Sequence, residues 1–509
     1  MKTIAMYLPQ FHRVKENDEW WGEGFTEWTA VKNATPLYEG HIQPVCPLNC
    51  NYYDLMDKQT MEWQADLARK YNIDGFAFYH YYFKDGRKIL EKPAENLLKW
   101  KDIDMPFFFT WDPIQWARSW TNVGNFWADT FENKDMKSDG ILLEQDFGGK
   151  KEWEKHFQYL LPFFKDERYI KVDGKPVFCC LSTHYVSCFM RMMSYWRTLA
   201  TETGVNGIYV ISGDSYSEVA DAYINMMAPE KNKELSAEKY NNLHAYDYDK
   251  SWENYLCCNN IDGVESLYQC MVKFDDSPRR GDHARIFVGA TAEKFKKYFA
   301  ALRCKSLLNN NKFLFINAWN EWGEGMYLEP DTRDGYAYLE AVRDVTKLSE
   351  DELQDFVKAS GLIDYVNKGL RYQEGFLAER KEKKKYALMR DWLKAKLHDE
   401  AIKKYLQKHS YKKVAIYGFG VYGHMLYQEL IADGINVPFA VDRKLCVSLH
   451  VESIPILGVD KQLPPCDLII ISTVSDNVEI YEQLMKITTD EVISMEELLK
   501  YVIEDMQGE

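Results

Sequence analysis

Eight short runs of β-branched and aromatic residues, separated by helical patterns, constrain this chain more than any other feature. They are "TIAMYL" (3–8), "GFAFYHYY" (75–82), "PFFFTW" (106–111), "PVFCCL" (176–181), "GIYVIS" (207–212), "AYINMM" (222–227), "LYQCMV" (267–272) and "FLFINAW" (313–319). Amphipathic stretches such as "AEKFKKYFAALRCKSLL" (292–308) lie between several of them. Strands alternating with helices imply βα units and a parallel sheet. Eight strands within about 340 residues predict a (β/α)8 barrel with long insertions, and hence an α/β chain. In such a barrel the chemistry sits where strands end and βα loops begin. Polar and aromatic residues cluster at those points: "PQFH", "YHYY", "WDPIQW", "STHY", "GDS", "KFDDSPRR" and "NEWGEG".

The last cluster is the most informative. A run apolar enough to be buried ends in Asn320, Glu321, Trp322, Gly323 and Glu324. Making or breaking a glycosidic bond needs a proton donor on the leaving oxygen and a partner that stabilises or traps the anomeric centre. Two carboxyl groups in different environments supply both. Glu321 and Glu324, three residues apart, share a face if the segment turns helically. Trp319 and Trp322 would desolvate one of them and raise its pKa. Gly323 and Gly325 allow a tight turn. The pair is therefore expected to enter one sugar cleft. The competing reading is a strand-end turn in which a carboxylate caps a helix.

Further residues are candidates for substrate binding, among them Glu27, Trp111, Asp112, Asn320 and Trp322. His12 is a hydroxyl ligand or a core histidine. Trp20, Trp21 and Trp28 are placed along a subsite, with simple packing as the alternative for one or more of them, and Tyr79 and His80 at a strand end, in the site or in the core. Asp275 and Arg279 form a clamp for hydroxyls or a phosphate, with a loop salt bridge as the alternative.

Composition narrows the function. The net charge of −15 in 509 residues disfavours nucleic-acid binding, which needs a basic footprint. Eleven cysteines, an odd number without a C-x-x-C, give neither a disulfide framework nor a zinc site. No run is long enough to span a bilayer, and "MKTIAMYLPQFH" lacks a signal-peptide pattern. A cytoplasmic location, or one peripheral to the inner membrane, is expected. The 15 tryptophans suit a carbohydrate site, because flat aromatic faces pack against the C–H faces of sugar rings. No H-E-x-x-H, nucleophile elbow or P-loop occurs.

Three segments are expected: the barrel over 1–345, a charged helical linker over 346–410, and a small Rossmann-like domain over 411–509. The linker is read as a solvated connecting helix, with contact to anionic lipid or a partner as the alternative. In the last segment Gly418, Gly420 and Gly423 form G-x-G-x-x-G after a strand and at the start of a helix, and Asp442 ends the next strand. That context suits a nucleotide or nucleotide-sugar, NAD or UDP-type, with phosphate on the turn and a ribose hydroxyl on the carboxylate. No Tyr-x-x-x-Lys constellation accompanies it, which argues against a dehydrogenase or epimerase module.

Four stretches carry a resemblance. "YLPQFHRVKENDEWWGEGFTEWTAVKNATPLYEGHIQP", which includes Glu27, is followed in order by "YNIDGFAFYHYYF", "KFDDSPRRG" and "NAWNEWGEGMYLEPDTRDGYAYLEAVR". Together they resemble glycoside hydrolase family 99-like proteins of the WbsX type, found in bacterial O-antigen and capsule biosynthesis. The resemblance covers about residues 1 to 345. It implies a barrel acting on an α-linked, mannose-like glycan without a required cofactor, by hydrolysis or transfer. Polysaccharide-assembly enzymes and a membrane surface are the implied neighbours. In related retaining endo-α-mannosidases the residue at the Glu321 position deprotonates the sugar 2-hydroxyl, giving a 1,2-anhydro sugar. The one at the Glu324 position protonates the leaving oxygen and then activates the acceptor. The chain departs from the pattern at Trp111–Trp116, where Asp112, Pro113 and Ile114 follow Trp111 in place of a usual Ala-Asn-Glu, and at Phe274, where tryptophan is common. These departures motivate a further reading, a glycan-binding barrel scaffold without activity.

Overall fold

The computed structural model describes residues 1–117, 141–213, 216–228, 233–235, 237–240, 243–373, 375–398, 400–443, 454–459, 462–474 and 477–508. Asp214 and Ser215 of "GDS" lie outside the described residues. The chain divides into two compact units, Met1–Val186 with Trp196–Gln373, and Ser187–Tyr195 with Glu374–Glu509.

In the first unit all eight runs are strands: β1 (Lys2–Tyr7), β2 (Gly75–Tyr82), β3 (Phe107–Trp111), β4 (Lys175–Cys180), β5 (Tyr209–Ser212), β6 (Ala222–Met226), β7 (Glu265–Met271) and β8 (Phe313–Asn317). Each pairs in parallel with the next. β8 returns to β1, with Lys2 opposite Phe313, so the barrel closes. A strand covered on both faces needs apolar residues at every position, which is why the runs do not alternate. β3 and β8 are buried throughout. The surrounding helices include α1 (Glu27–Asn33), α2 (Lys58–Lys70), α3 (Lys150–Phe164), α4 (Tyr248–Leu256), α5 (Ala292–Leu308) and α6 (Ala337–Thr346). Asp57 caps α2 by accepting from the Gln59 N–H, and Thr291 caps α5 by accepting from Lys294.

Residues 346–410 are not a free connecting linker. α7 (Glu350–Ala359) and α8 (Ile363–Gly369) pack on α5 in the first unit and bury Leu353, Val357 and Val366. α9 (Phe376–Lys396) and α10 (Ala401–Lys408) belong to the second, burying Leu388, Trp392, Ile402 and Leu406 in its core.

The second unit is built on β9 (Val414–Tyr417), β10 (Ala440–Val441), β11 (Ile456–Leu457), β12 (Leu468–Ile471) and β13 (Glu491–Ser494). All pairings are parallel and the spatial order is β11-β10-β9-β12-β13. This is the order of a doubly wound sheet, which reverses direction beside its first strand. α11 (Val421–Ala432), α12 (Asn477–Leu484) and α13 (Met495–Gly508) accompany it. Among the described residues no helix is long and apolar enough to cross a membrane.

Candidate functional site

β8 ends at Asn317, and the chain then folds into a tight hairpin in which Asn320 and Glu321 pair with Tyr327 and Met326. Between them Trp322–Glu324 makes a single 3-10 turn, closed by Gly325 at φ 64°. Hairpin and turn together, and not the α-helical turn assumed from spacing, set the direction of the two glutamates. Asn320 fixes the hairpin to the first strand. Its side chain accepts from the Leu8 N–H (2.8 Å) and donates to the Leu8 carbonyl (3.0 Å). It is fully buried and serves the fold, not a substrate as expected from sequence.

Arg279 gathers the site. It lies in the short helical turn Ser277–Arg280 after β7, and its guanidinium meets three carboxylates. Nε donates to Glu27 Oε1 at 2.6 Å, Nη2 to Glu321 Oε2 at 2.9 Å and Nη1 to Glu324 Oε1 at 2.5 Å. Loops after β1, β7 and β8 therefore converge on one cation. Two bonds from one planar guanidinium hold the bonded oxygens of Glu321 and Glu324 within about 8 Å of each other. Side-chain exposure differs: 6% for Glu321 and 28% for Glu324. Gly323 packs directly on the ion pair. A Cβ there would stand 1.7 Å from Glu27 Oε1 and 2.8 Å from Arg279 Nε, so no side chain fits.

Three carboxylates around one guanidinium leave an excess of negative charge. Burial pushes the Glu321 carboxyl up to about 8 against the pull of Arg279, and Glu324 and Glu27 push it further. One oxygen of Glu27 is buried without a hydrogen-bond partner. Tyr79 and Tyr81 on β2 sense the same field. Burial raises both hydroxyls, and Glu321 and Asp112 add to it.

The remaining sequence-based assignments divide. Glu27, Arg279, Glu321 and Glu324 come together, with Tyr79 and Asp112 close enough to interact electrostatically. Arg279 meets protein carboxylates, the salt-bridge alternative named for it. His80 and Trp111 do not face the cleft. They lie outside the barrel wall, where His80 Nε2 meets His156 Nε2 on α3 at 2.7 Å and Trp111 packs on the same imidazole. Neighbouring strand residues point to opposite faces, so Tyr79 and His80 cannot both enter the barrel mouth. Burial lowers His80 to about 3, which keeps that ring neutral.

The tryptophans expected along a subsite are covered. Trp20 and Trp21 pack with Tyr81 and Trp116, and Trp28 packs with Phe11 and Trp322. Trp322 stacks on Tyr327 at 3.8 Å and donates to Glu329. His12 is buried, and burial lowers its pKa.

Asp275 is bound by protein donors. Leu37 N–H donates to His41 Nδ1, which leaves the ring proton on Nε2 to reach Asp275 Oδ2 at 2.8 Å. Gln43 adds a bond of 2.7 Å and the Ser277 N–H one of 3.0 Å. Burial alone would raise this carboxyl, but these bonds hold it below the usual range. The Asp275 N–H donates to the Glu324 carbonyl at 2.8 Å. Asp275 and Gly325 also line a cavity of about 590 Å³ with His41, Gln43, Lys273 and Tyr327.

Sequence reasoning missed Tyr81 and the buried network under Trp322. There Glu329 accepts from Tyr53, Gln64 and Trp322, and burial pushes it up to about 7. No local pattern marks it, because its partners are up to 276 residues away.

In the second unit Gly418 turns at φ +87°. A Cβ on Gly423 would stand 2.1 Å from the Gly418 carbonyl, whereas Gly420 faces open space. Asp442, expected on a ribose, accepts from the Phe419 N–H at 2.8 Å and so steadies the turn.

A family model described as "Glycosyltransferase WbsX" matches residues 3–342. Two proteins called "Uncharacterized protein WxcX" are similar. The one from Xanthomonas campestris pv. campestris strain B100 is 27% identical over 383 residues, 71% of this chain and 52% of that protein. The one from strain ATCC 33913 is 28% identical over 374 residues, with the same coverage. The chain thus spans about half the length of the curated relatives it matches. Among solved structures, a GH99 endo-alpha-mannosidase from Bacteroides thetaiotaomicron is 13% identical at TM-score 0.40, over 72% of this chain and 97% of that one. A "Glycoside hydrolase-like protein" is 15% identical at TM-score 0.43, over 68% and 94%.

Proposed function

The chain belongs to the WbsX glycosyltransferase family, and from that premise we propose that its barrel cleaves or transfers an α-linked, mannose-like glycosyl unit during bacterial surface-polysaccharide biosynthesis. The observation that carries this reading is the convergence of Glu321 and Glu324 on Arg279 at the barrel mouth. The chemistry needs one proton between two acids; burial and the neighbouring anions favour Glu321 as its resting place, and the reactive form carries it on Glu324. With Glu321 ionised and Glu324 protonated, Glu321 takes the proton of the sugar 2-hydroxyl as that oxygen attacks the anomeric carbon. Glu324 gives its proton to the departing oxygen. An acceptor hydroxyl then loses its proton to Glu324 as it attacks the same carbon, and O2 recovers its proton from Glu321. Water as acceptor gives hydrolysis, and a sugar hydroxyl gives transfer. Arg279 donates to both carboxylates and so accommodates either distribution of the proton.

Incubation with defined α-mannosides and with nucleotide-sugars, followed by mass spectrometry, tests the reading. Glycan binding without turnover would mark the barrel as a scaffold. The pH profile is the sharper check. Glu321 must be ionised to act as base, so the rising limb of kcat/KM against pH has its midpoint near 8. A rising limb centred in the ordinary carboxylate range would remove Glu321 from that role.

A second reading concerns the 411–509 segment. The doubly wound strand order and the open Gly420 favour a nucleotide or nucleotide-sugar at the turn after β9. Calorimetry of the full chain with NAD, UDP and UDP-sugars should give heat with at least one of them, and Gly420→Trp should remove it. Silence from all three discards the reading. The cytoplasm, where activated donors are made, is the location that fits both readings.

A further inference from the structure

The helix α9 turns an apolar stripe to solvent. Tyr386, Met389 and Leu393, with Leu397 at its C-terminal cap, are 72%, 38%, 62% and 77% exposed. Their spacing of three, four and four residues places them on one face. The opposite face carries Leu388, Trp392 and Ala395, all buried in the core of the second unit. The stripe is therefore not a misplaced core face, because the helix already has one.

Charge frames the stripe. At 100° per residue, Lys385 and Lys396 flank it on one side and Lys383, Arg390 and Lys394 on the other. Residues 376–397 hold eight Lys or Arg against three Asp or Glu, in a chain whose net charge is −15. Several of these cations pair at the surface: Lys385 with Glu382, Arg390 with Asp391 and Lys396 with Glu429. Exposed pairs of this kind exchange partners at little cost.

We infer that this face of α9 docks on an anionic lipid surface. Long lysine and arginine stems flanking a narrow apolar stripe can bury the stripe at the acyl boundary while their charges reach the headgroups. An acidic chain is repelled from such a surface except where cations concentrate, so the helix also sets the orientation of approach. A protein groove would accept the stripe but gives no reason for cations on both flanks.

Flotation of the full chain with vesicles tests this. The chain should float with phosphatidylcholine vesicles containing phosphatidylglycerol, stay behind with phosphatidylcholine alone, and be released by added salt. Lys394→Ala should weaken binding about five-fold. Leu393→Ser should weaken it about ten-fold with the charge unchanged. Both residues are exposed, so thermal melting should match the parent chain. Failure to float with anionic vesicles, or equal flotation of parent and variants, overturns the inference. So does dimerisation by light scattering that Leu393→Ser abolishes, since a second copy would then cover the stripe.

Discussion

Glu324→Gln should lower kcat/KM on the proposed glycan substrate by about a hundred- to ten-thousand-fold, the span of a lost general acid-base group. Glutamine is isosteric and keeps an oxygen for Arg279 Nη1, so the 2.5 Å contact survives in altered form. What it cannot do is hold and release a proton. Glu324 is also the more exposed of the pair, so its replacement leaves the core undisturbed. A substrate with an aryl leaving group of low pKa needs little protonation, and on it the variant should regain much of the lost first step. Unchanged turnover on a natural linkage would remove the assignment of Glu324. An equal loss on both substrates would show that the residue positions rather than donates.

Arg279→Met should destabilise the first unit by about 3–5 kcal/mol, the usual cost of removing one partner from a buried ion pair. Methionine fills similar space, so the loss is electrostatic: Glu27, Glu321 and Glu324 would face one another without a cation. The pH dependence has a definite sign. Glu321 has a folded pKa raised to about 8, above its unfolded value, so folding takes up a proton between the two. Its contribution is fully present below the unfolded pKa and is lost as pH rises through about 8. The variant should therefore melt closest to the parent in mild acid and furthest from it in mild base. Adding Glu27→Gln should restore part of the difference, and a double-mutant cycle measures that coupling. Coincident melting curves at both pH values would show that the three carboxylates do not depend on Arg279.

How much of this was legible follows from where each signal resides. The barrel was legible because each strand, covered on both faces, must be apolar along its whole length, and eight such runs stand out. Glu321 and Glu324 were legible because charge at the end of such a run has few structural reasons. The cluster around them was not. Glu27 and Arg279 are 252 residues apart, and only the converging loops unite them. The phase of β2 was hidden because "FYHYYF" is aromatic on both faces, leaving no alternation to separate Tyr79 and Tyr81 from His80. The helices over 350–396 were read as a linker because their charges outnumber the few residues, such as Val357 and Trp392, that anchor them. The tryptophans misled for a related reason. An indole beside polar residues suits a sugar cleft, but it equally suits a crowded loop layer, and the structure uses Trp20, Trp21 and Trp28 for the second.

The Asn320 amide grips both backbone groups of Leu8, so the turn that carries Glu321 and Glu324 is anchored across the joint where the barrel's ends meet. A growing polypeptide that has delivered the first strand must wait for more than three hundred further residues before that joint can shut. The turn that carries Glu321 and Glu324 is thus set only when the first and the eighth strands have both been made.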